Sequence, residues 1–594
     1  MSRSHFAKRW GAEPDGEGRW RFRLWAPDLD RLAVAVEGRH HAMEPVGNGW
    51  FETHVAAAPG APYAFVTGEM QVPDPAARAQ AGDVHGPSRL VDPRAYDWRC
   101  DWKGRPWEDT ILYELHVGTF SPEGTFDAVR RKLDHLAGIG VTAVELCPVA
   151  QFAGDRGWGY DGVLLYAPHP AYGSPEALKA LIDAAHERQL MVFVDVVYNH
   201  FGPDGNYLHA YADAFFHDDR STPWGPAIAF DRAPVRQFFI DNALYWLEEY
   251  RFDGLRLDAT DQIADQSEEP ILTELARAVR AHDFGRPVHL TTEDDRNITG
   301  LHGRDAAGRP QLYDGEWNDD FHHVAHVIAT GERDGYYGDY AEDPRADMLI
   351  ALRDGYVQQG RASPYRGGER RGEPSAHLPP PAFVNFLQNH DQTGNRAFGE
   401  RLTALASRDA VEVMTALLLL SPMIPLVFMG EEWGERRPFR FFCDFHGELA
   451  EAVRKGRREE FSRWSQFADP RARQSIPDPN DPATFAGSRL DWAGRDTAEG
   501  AERMALFGKL TAIRAEHIAP RLAGMTAMNA DVAAHGECGV QAGWRLADGT
   551  MLRLLANLGG APFAAEIPGE PIHRHGAIDT DRWAIEVTIA DGAP

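Results

Sequence analysis

The stretch RFDGLRLDATD, Arg251 to Asp261, alternates in character: Leu255 and Leu257 fall on one face of an extended strand, Arg256 and Asp258 on the other. Taking an arginine and an aspartate out of water is costly unless each finds a partner. A buried strand that ends in ions is therefore either the seat of a structural ion pair or part of a site. The segments on either side decide which.

Seven further stretches have the same apolar build. With Gly254 to Thr260 they run Ile111 to Phe120, Val141 to Val149, Met191 to Asn199, Val288 to Asp294, Leu312 to Trp317, Ala382 to His390 and Ile424 to Glu432. Helical patterns lie between them. FDAVRRKLDHLAGIG reads as one helix; SPEALKALIDAAHERQ has Ser174 as a cap and Pro175 in the first turn; VRQFFIDNALYWLEEY puts Phe238, Leu244 and Leu247 near one face. Strands alternating with helices predict a multidomain α/β chain whose centre is a (β/α)8 TIM barrel, with its site where the strands end. A doubly wound open sheet is the runner-up, but no glycine-rich phosphate loop follows the first strand.

The flanks differ. WRFRLWAP and RLAVAVEG alternate as β-strands, and Asn48-Gly49 signals a hairpin, so residues 1–100 are expected to form an N-terminal β-sandwich of the carbohydrate-binding kind. The barrel with its insertions is assigned 101–522. In the last segment, 523–594, GVQAGWRLADGTMLRLLANL reads as strand, Asp-Gly turn, strand, the start of a C-terminal antiparallel β-domain.

A chain of 594 residues exceeds one ordinary core, and 43% hydrophobic with 25% charged residues is the composition of a globular protein in water. Lys plus Arg is 61 against 89 Asp plus Glu, a net charge of −28. That surface disfavours nucleic acid and anionic membranes as partners and suits a neutral or cationic ligand, although acidity that only aids solubility explains it equally well. Cys100, Cys147, Cys443 and Cys538 are far apart with no CxxC pair, which argues for ordinary thiols in a reducing compartment. The N-terminal residues contain no apolar signal core, and the longest apolar run, Ala416 to Gly430, is interrupted by Ser421, Pro422 and Pro425. The expectation is a cytoplasmic protein.

The predicted strand ends collect polar residues: Asp195, Tyr198, Asn199 and His200; Arg256 and Asp258; Glu293 and Asp294; Asn389, His390 and Asp391. Each taken alone reads as a satisfied polar cap. Together, three carboxylates from separate strands with an arginine and two histidines suit cleavage of a sugar acetal: one carboxylate attacks the anomeric carbon while another, kept protonated, gives its proton to the leaving oxygen. Asp258, two residues beyond Arg256, would be held ionised as the nucleophile; Glu293, in an apolar setting near another acid, would be the proton donor. WNDDFHHVAH, Trp317 to His326, competes as a metal site, but its adjacent Asp-Asp and His-His pairs point to opposite helix faces, and a loop that binds sugar hydroxyls accounts better for the same groups. No GxSxG elbow supports serine chemistry. Trp158, Tyr160, Trp224 and Trp317 read either as core or as stacking platforms for sugar.

DVVYNH (195–200), GLRLDA (254–259), TTED (291–294) and FLQNHD (386–391) together resemble the four signature regions of the α-amylase family of glycoside hydrolases. The resemblance implies Asp258 as nucleophile, Glu293 as general acid/base and Asp391 as transition-state stabiliser. It also implies that Arg256, His200 and His390 hold the −1 sugar and that Tyr160 stacks on it. YELHVGTFSPEGTF (113–126), RGWGYDGV (156–163), YNHFGPDGNYL (198–208), NHDQTGNRAFGERL (389–402) and GRREEF (456–461), with WNDDFHHVAH, are similar to the branch that splits trehalose from maltooligosyltrehalose. This similarity runs from about Trp10 to Arg521, with TTEDDRN and Ala259-Thr260-Asp261 as its visible departures. It implies retaining hydrolysis without cofactor or metal, acting after maltooligosyltrehalose synthase, with maltooligosyltrehalose as substrate and trehalose as product. It further implies an aglycone side lined by Ala259, Thr260, Asp261, Asn318, Asp319, Asp320, Phe321, His322, Asn389, Gln392, Thr393 and Gly394. The alternatives are a glucan branching enzyme, a debranching hydrolase, or a catalytically silent carbohydrate-binding relative; the last is disfavoured because all three carboxylates are present.

Overall fold

Each of the eight apolar stretches contributes one strand to a closed parallel barrel. The strands are Leu112–Leu115, Ala143–Leu146, Met191–Val196, Gly254–Leu257, His289–Thr292, Gly315–Trp317, Phe383–Phe386 and Ile424–Phe428, paired in chain order with the eighth returning to the first. This is a computed structural model, and it describes residues 5–16 and 18–591, excepting the side chain of Arg463. The alternation at Leu255 and Leu257 acquires its meaning here. Both leucines point outward into the cluster between barrel and helices, and Arg256 points into the barrel.

The barrel interior is layered. Its floor is apolar, made by Leu112, Ala143, Met191, Phe193, Phe386 and Leu426 with their neighbours. Gly254 belongs to this floor because a Cβ there would stand 2.1 Å from the Phe193 ring, so only glycine lets the ring cross the barrel. One step along the strands the lining turns polar. Register places Asp195 opposite Arg256 and Glu114 opposite Glu145, so the charged layer follows directly from strand pairing.

Two helix expectations need amendment. The segment from Phe126 forms two short helices, Phe126–Arg130 and Leu133–Gly138, separated by a turn at Arg131-Lys132 that sets the Lys132 ammonium over the Trp492 ring at 4.1 Å. The helix Ala233–Glu249 is buried around most of its circumference and not along one face. Its inner side packs on the barrel, and its outer side is covered by the N-terminal domain. Helix Pro175–Glu187 is capped by Ser174, whose hydroxyl accepts the Ala177 amide.

The N-terminal domain is an antiparallel sheet of seven strands in one path, with an eighth, Ser88–Arg89, pairing off it to Pro62–Thr67, and it bends where strand Arg39–Gly47 pairs with both Leu32–Val36 and Trp50–Ala56. Asn48 and Gly49, at φ 52° and 78°, make the turn between Arg39–Gly47 and Trp50–Ala56. The domain docks through ions and rings. Arg78 reaches Glu13 at 2.8 Å and Glu249, on the barrel helix, at 2.8 Å, with all three buried, while Trp10 meets Phe238 edge-on at 5.2 Å. At the other end, Gly539–Arg545 and Met551–Asn557 form the expected hairpin in a five-stranded antiparallel sheet, and Trp544 donates its indole N–H to the Leu352 carbonyl at 3.0 Å. No helix among the described residues is long and apolar enough to cross a membrane.

Arg78 is the main ionic link between the N-terminal domain and the barrel. Burial opposes the charge on Glu13, but Arg78, with His5 and Lys8, outweighs it and holds the carboxyl down at about 2. The link is therefore present above the ordinary carboxylate range and fades as pH falls toward 2. Arg78→Ala leaves Glu13 with only Lys8 and His5, and Glu249 with only the Lys179 ammonium at 3.6 Å, and should cost up to about 3 kcal/mol at neutral pH. Thermal unfolding at pH 7 checks this: a midpoint equal to that of the unmodified protein contradicts the assignment.

Candidate active site

Arg256 is the centre of the polar layer and has no solvent exposure. Its Nη1 donates to Asp195 at 2.5 Å and to Asp258 at 2.9 Å, its Nη2 donates to Glu293, and its guanidinium lies 4.3 Å over the Trp317 ring. Those four partners leave it one orientation. Asp258 is held at both oxygens: Oδ1 accepts from Arg256, and Oδ2 accepts from the Asn199 amide at 3.0 Å. Asn199 also donates to the Asp258 carbonyl at 2.8 Å, which fixes the backbone on which the carboxylate stands.

Glu293 follows the fifth strand. Its Oε2 accepts from Arg256 and, at 3.1 Å, from the Ala259 amide. Ala259 is in the left-handed region at φ 38° and ψ 56°, a conformation that costs an L-residue roughly 1–2 kcal/mol. The strain directs that amide at the acid. Burial pushes the Glu293 carboxyl well above its usual range; the Arg256 charge opposes the shift, and Asp258 and Asp391 add to it. Glu293 is thus built to carry a proton. Burial likewise raises Asp195 to about 6, against the pull of Arg256.

The aromatic and histidine walls are interlocked. Tyr160 gives its hydroxyl to Asp195 at 2.6 Å and stacks on His390, centroids 4.9 Å apart, so its ring is a fixed plate. His390 bonds Glu114 through its ring and, at 3.0 Å, through its amide. Burial opposes a charged ring there, but the Glu114 carboxylate outweighs burial and raises the His390 pKa. His200 lies against the Tyr160 carbonyl at 3.0 Å, with its pKa lowered by burial, and stacks at 4.3 Å on Trp224, which is 47% exposed at the tip of hairpin Phe216–Thr222/Gly225–Ile228.

Asp391 lies beside this group, on the short helix His390–Gly394, where its Oδ1 accepts from Asn395 at 2.7 Å. It opens onto a cavity of about 300 Å³ that Asp319, His323, Tyr336, Gln392 and Trp464 also line. Gln392 bridges to Asp319 at 2.9 Å, and burial raises Asp319 to about 7.

The other residues expected on the aglycone side separate into two groups. Asn318, Asp320, Phe321 and His322 lie beneath the cleft. Asn318 bonds the Gly355 carbonyl at 3.1 Å, Asp320 accepts the Val357 and Gln358 amides at 2.7 Å each, Phe321 has no exposure, and His322 bonds the Leu387 carbonyl at 2.5 Å. Successive residues of the helix starting at Asp319 are rotated by about 100° around its axis, which is why adjacent Asp319 and Asp320 part company. Asn389 caps the next helix by accepting the Gln392 amide at 2.7 Å, Thr393 is buried, and Gly394 lies so close to Trp158 that a Cβ would meet its ring at 2.0 Å. Ala259 and Thr260 support Glu293, Thr260 through its hydroxyl to the Glu293 carbonyl at 3.0 Å, while Asp261 is half-buried beside Gln262.

Among the described residues one trio, Glu114, Cys147 and His390, brings potential metal-ligand atoms within 4.8 Å of one another. The Glu114 oxygens are already engaged by His390, and burial pushes the Cys147 thiol well up, so the trio behaves as an ion pair beside a neutral thiol. Of the candidate histidines in the helix from Asp319, His326 is bound to Glu332 at 2.7 Å and His322 to Leu387. Glu114 was detectable as a lone charge in an apolar strand. The cavity residues Tyr336 and Trp464 come from irregular segments that carry no periodic signal.

The chain matches the family described as alpha amylase, catalytic domain, over residues 87–224, and a domain of unknown function, DUF3459, over 528–584. It is 44% identical to the malto-oligosyltrehalose trehalohydrolase of Deinococcus radiodurans over 511 residues, 86% of this chain and 83% of that one. With the malto-oligosyltrehalose trehalohydrolase of Mycobacterium tuberculosis it shares 40% identity over 506 residues, 83% of this chain and 86% of the other. A crystal structure from Salmonella typhimurium, provisionally described as an alpha amylase, superposes with a TM-score of 0.95 at 48% identity, covering 99% of this chain and 100% of that one.

The Asp319 charge helps to keep Glu293 protonated. Removing it stabilises the Glu293 carboxylate, so Asp319→Asn should move the alkaline limb of the kcat/KM profile to lower pH. A limb that stays in place, or moves up, refutes this coupling.

Proposed function

The chain belongs to the malto-oligosyltrehalose trehalohydrolases of the α-amylase family, and on that premise we propose how its residues carry out the reaction. It is a glycoside hydrolase that cleaves the α-1,4 bond next to the terminal trehalose unit of a malto-oligosyltrehalose and releases trehalose. The observation that carries the residue assignment is the pair of carboxylates, Asp258 and Glu293, bonded to the two terminal nitrogens of one buried guanidinium. That arrangement holds them close, as retention requires: about 5 Å in retaining enzymes against about 6.5–9.5 Å in inverting ones.

In the proposed sequence the −1 glucose lies against the Tyr160 ring, with His200, His390 and Arg256 around it. Asp258 attacks C1 and the bond from C1 to the glycosidic oxygen breaks. Glu293 gives its proton to that oxygen, and trehalose departs with it. Water then enters, gives a proton to the Glu293 carboxylate, and its oxygen displaces Asp258 from C1, restoring both groups. Asp391 faces the sugar from the cavity side and stabilises the oxocarbenium-like transition state. The raised pKa of His390 supplies a cationic donor where hydroxyl contacts tighten in that state. All of these parts are side chains, so the mechanism calls for no cofactor.

We assign Trp224, exposed and stacked on His200, to carry the glucan chain on the glycone side, and the cavity beyond Asp391 to take the trehalose. Such a substrate must first be made by an enzyme that converts the reducing end of a glucan into a trehalose unit, so we assign this chain the following step. With all four cysteines free, we assign it to the cytoplasm.

Asp258→Asn should lower kcat by roughly 10⁴-fold or more while leaving substrate binding measurable by calorimetry. Retained turnover would remove Asp258 from the nucleophile's role. The substrate assignment is checked by incubation with maltopentaosyltrehalose and, separately, with maltoheptaose. Fast trehalose release from the first and slow attack on the second is expected. Equal rates reduce the reading to a general α-amylase, and new α-1,6 branches without free trehalose point to a branching enzyme.

A further inference from the structure

The cavity beyond Asp391 has an outer wall built from a part of the chain that contributes nothing to the barrel. Strands Arg361–Ser363 and Glu369–Arg371 pair antiparallel over three residues a side, and the turn between them carries Tyr365, which is 50% exposed, and Arg366. Tyr365, Arg366 and Arg371 line the cavity together with Asp391 and Gln392. A two-stranded ribbon of this length has little stability of its own. What holds it is a set of ionic contacts to the barrel rim.

Four aspartates make the ionic and hydrogen-bond contacts, one of them Asp347, which pairs with Arg361 at 2.8 Å. Asp339 accepts the Tyr365 amide at 3.0 Å and the Ser363 hydroxyl. Asp320, fixed by the Val357 and Gln358 amides, meets Arg371 at 3.2 Å. Asp295 pairs with Arg366 and, at 3.4 Å, with Arg371. Asp295 is two residues beyond Glu293, in the TTEDDRN segment. The ribbon is thereby tied to the loop that carries the acid, so the distance from the cleaved bond to the wall is set by the protein.

We infer that this hairpin is a wall that ends the cleft after two sugar units on the leaving-group side, and that the Asp295–Arg366 ion pair is its latch. The inference rests on the trehalose-releasing reading and deepens it. An enzyme that attacks internal bonds needs a cleft open at both ends, whereas a wall at a fixed distance admits only chain termini whose last two units fit the space. Hydroxyl contacts then separate trehalose from a maltose end, and the wall excludes every longer leaving group. The latch is partly exposed, with both side chains about a third accessible, so salt weakens it.

The test uses maltoheptaose labelled with ¹³C only in its reducing-end glucose and reads the length of the labelled fragment by mass spectrometry. The unmodified enzyme should release it, slowly, almost wholly as the disaccharide. In Arg366→Ala, and in a variant with residues 364–368 replaced by Gly-Gly, labelled fragments of three or more glucoses should rise at least ten-fold as a share of products. Arg366→Lys, which keeps the charge, should restore most of the disaccharide pattern, and 1 M NaCl should move the unmodified enzyme toward the Arg366→Ala pattern. Disaccharide release unchanged in both the Arg366→Ala and shortened variants overturns the wall. A change confined to the shortened variant overturns the latch. Trehalose release from maltopentaosyltrehalose is measured alongside, and its absence in the unmodified enzyme defeats the reading of function whatever the fragment lengths are.

Discussion

A single positive charge, buried where the barrel strands end, sets the conditions for the rest of the site. Without partners the Arg256 guanidinium would be untenable inside the barrel. It is held by Asp195, Asp258 and Glu293 and lies over the face of Trp317, so its position fixes theirs. The acids far outnumber the cations in this layer, and burial makes each additional negative charge costly. Burial raises the pKa of Glu145, Asp195 and Glu293, which favours their neutral forms. The same physics that makes Glu293 a proton donor keeps the barrel interior from accumulating negative charge.

The scaffold delivers this layer through strand register. Parallel pairing brings Asp195 level with Arg256, and the apolar floor beneath, with Gly254 making way for Phe193, sets the height at which polar groups begin. Precision above the strands comes from loops under constraint: Ala259 in a left-handed conformation turns its amide to Glu293, and Asn199 holds both the carboxylate and the carbonyl of Asp258. The N-terminal domain contributes at a distance, pressing on the barrel helix Ala233–Glu249 through Arg78 and Trp10. The chemistry is thus carried on loops and the positional accuracy on a rigid frame.

The architecture was legible in the sequence because each barrel strand is an apolar run flanked by helical spacing, and both terminal sheets announce themselves by alternation and by the Asn48-Gly49 and Asp548-Gly549 turns. Within the site, the residues at strand ends were legible for the same reason: a charge at the end of an apolar strand has few places to go. Periodicity could not reveal which neighbours in a helical segment face the cleft. Asp319 lines the cavity and Asp320 anchors a loop, although they are adjacent and chemically alike. Nor could it reveal groups that act through others, such as Glu114 on His390, or the cavity wall, whose residues lie in irregular segments brought together only by the fold.

The account stands most directly on Asp258 being the atom donor that bonds to sugar while Glu293 handles the proton. A 5-fluoro-maltosyl fluoride, which forms the glycosyl-enzyme quickly and releases it slowly, would trap that bond for peptide mapping by mass spectrometry. The account predicts a single label, on the peptide bearing Asp258, and its loss in Asp258→Asn. Label on Glu293 or Asp391, or turnover with inversion at C1 and no trapped enzyme, would contradict it.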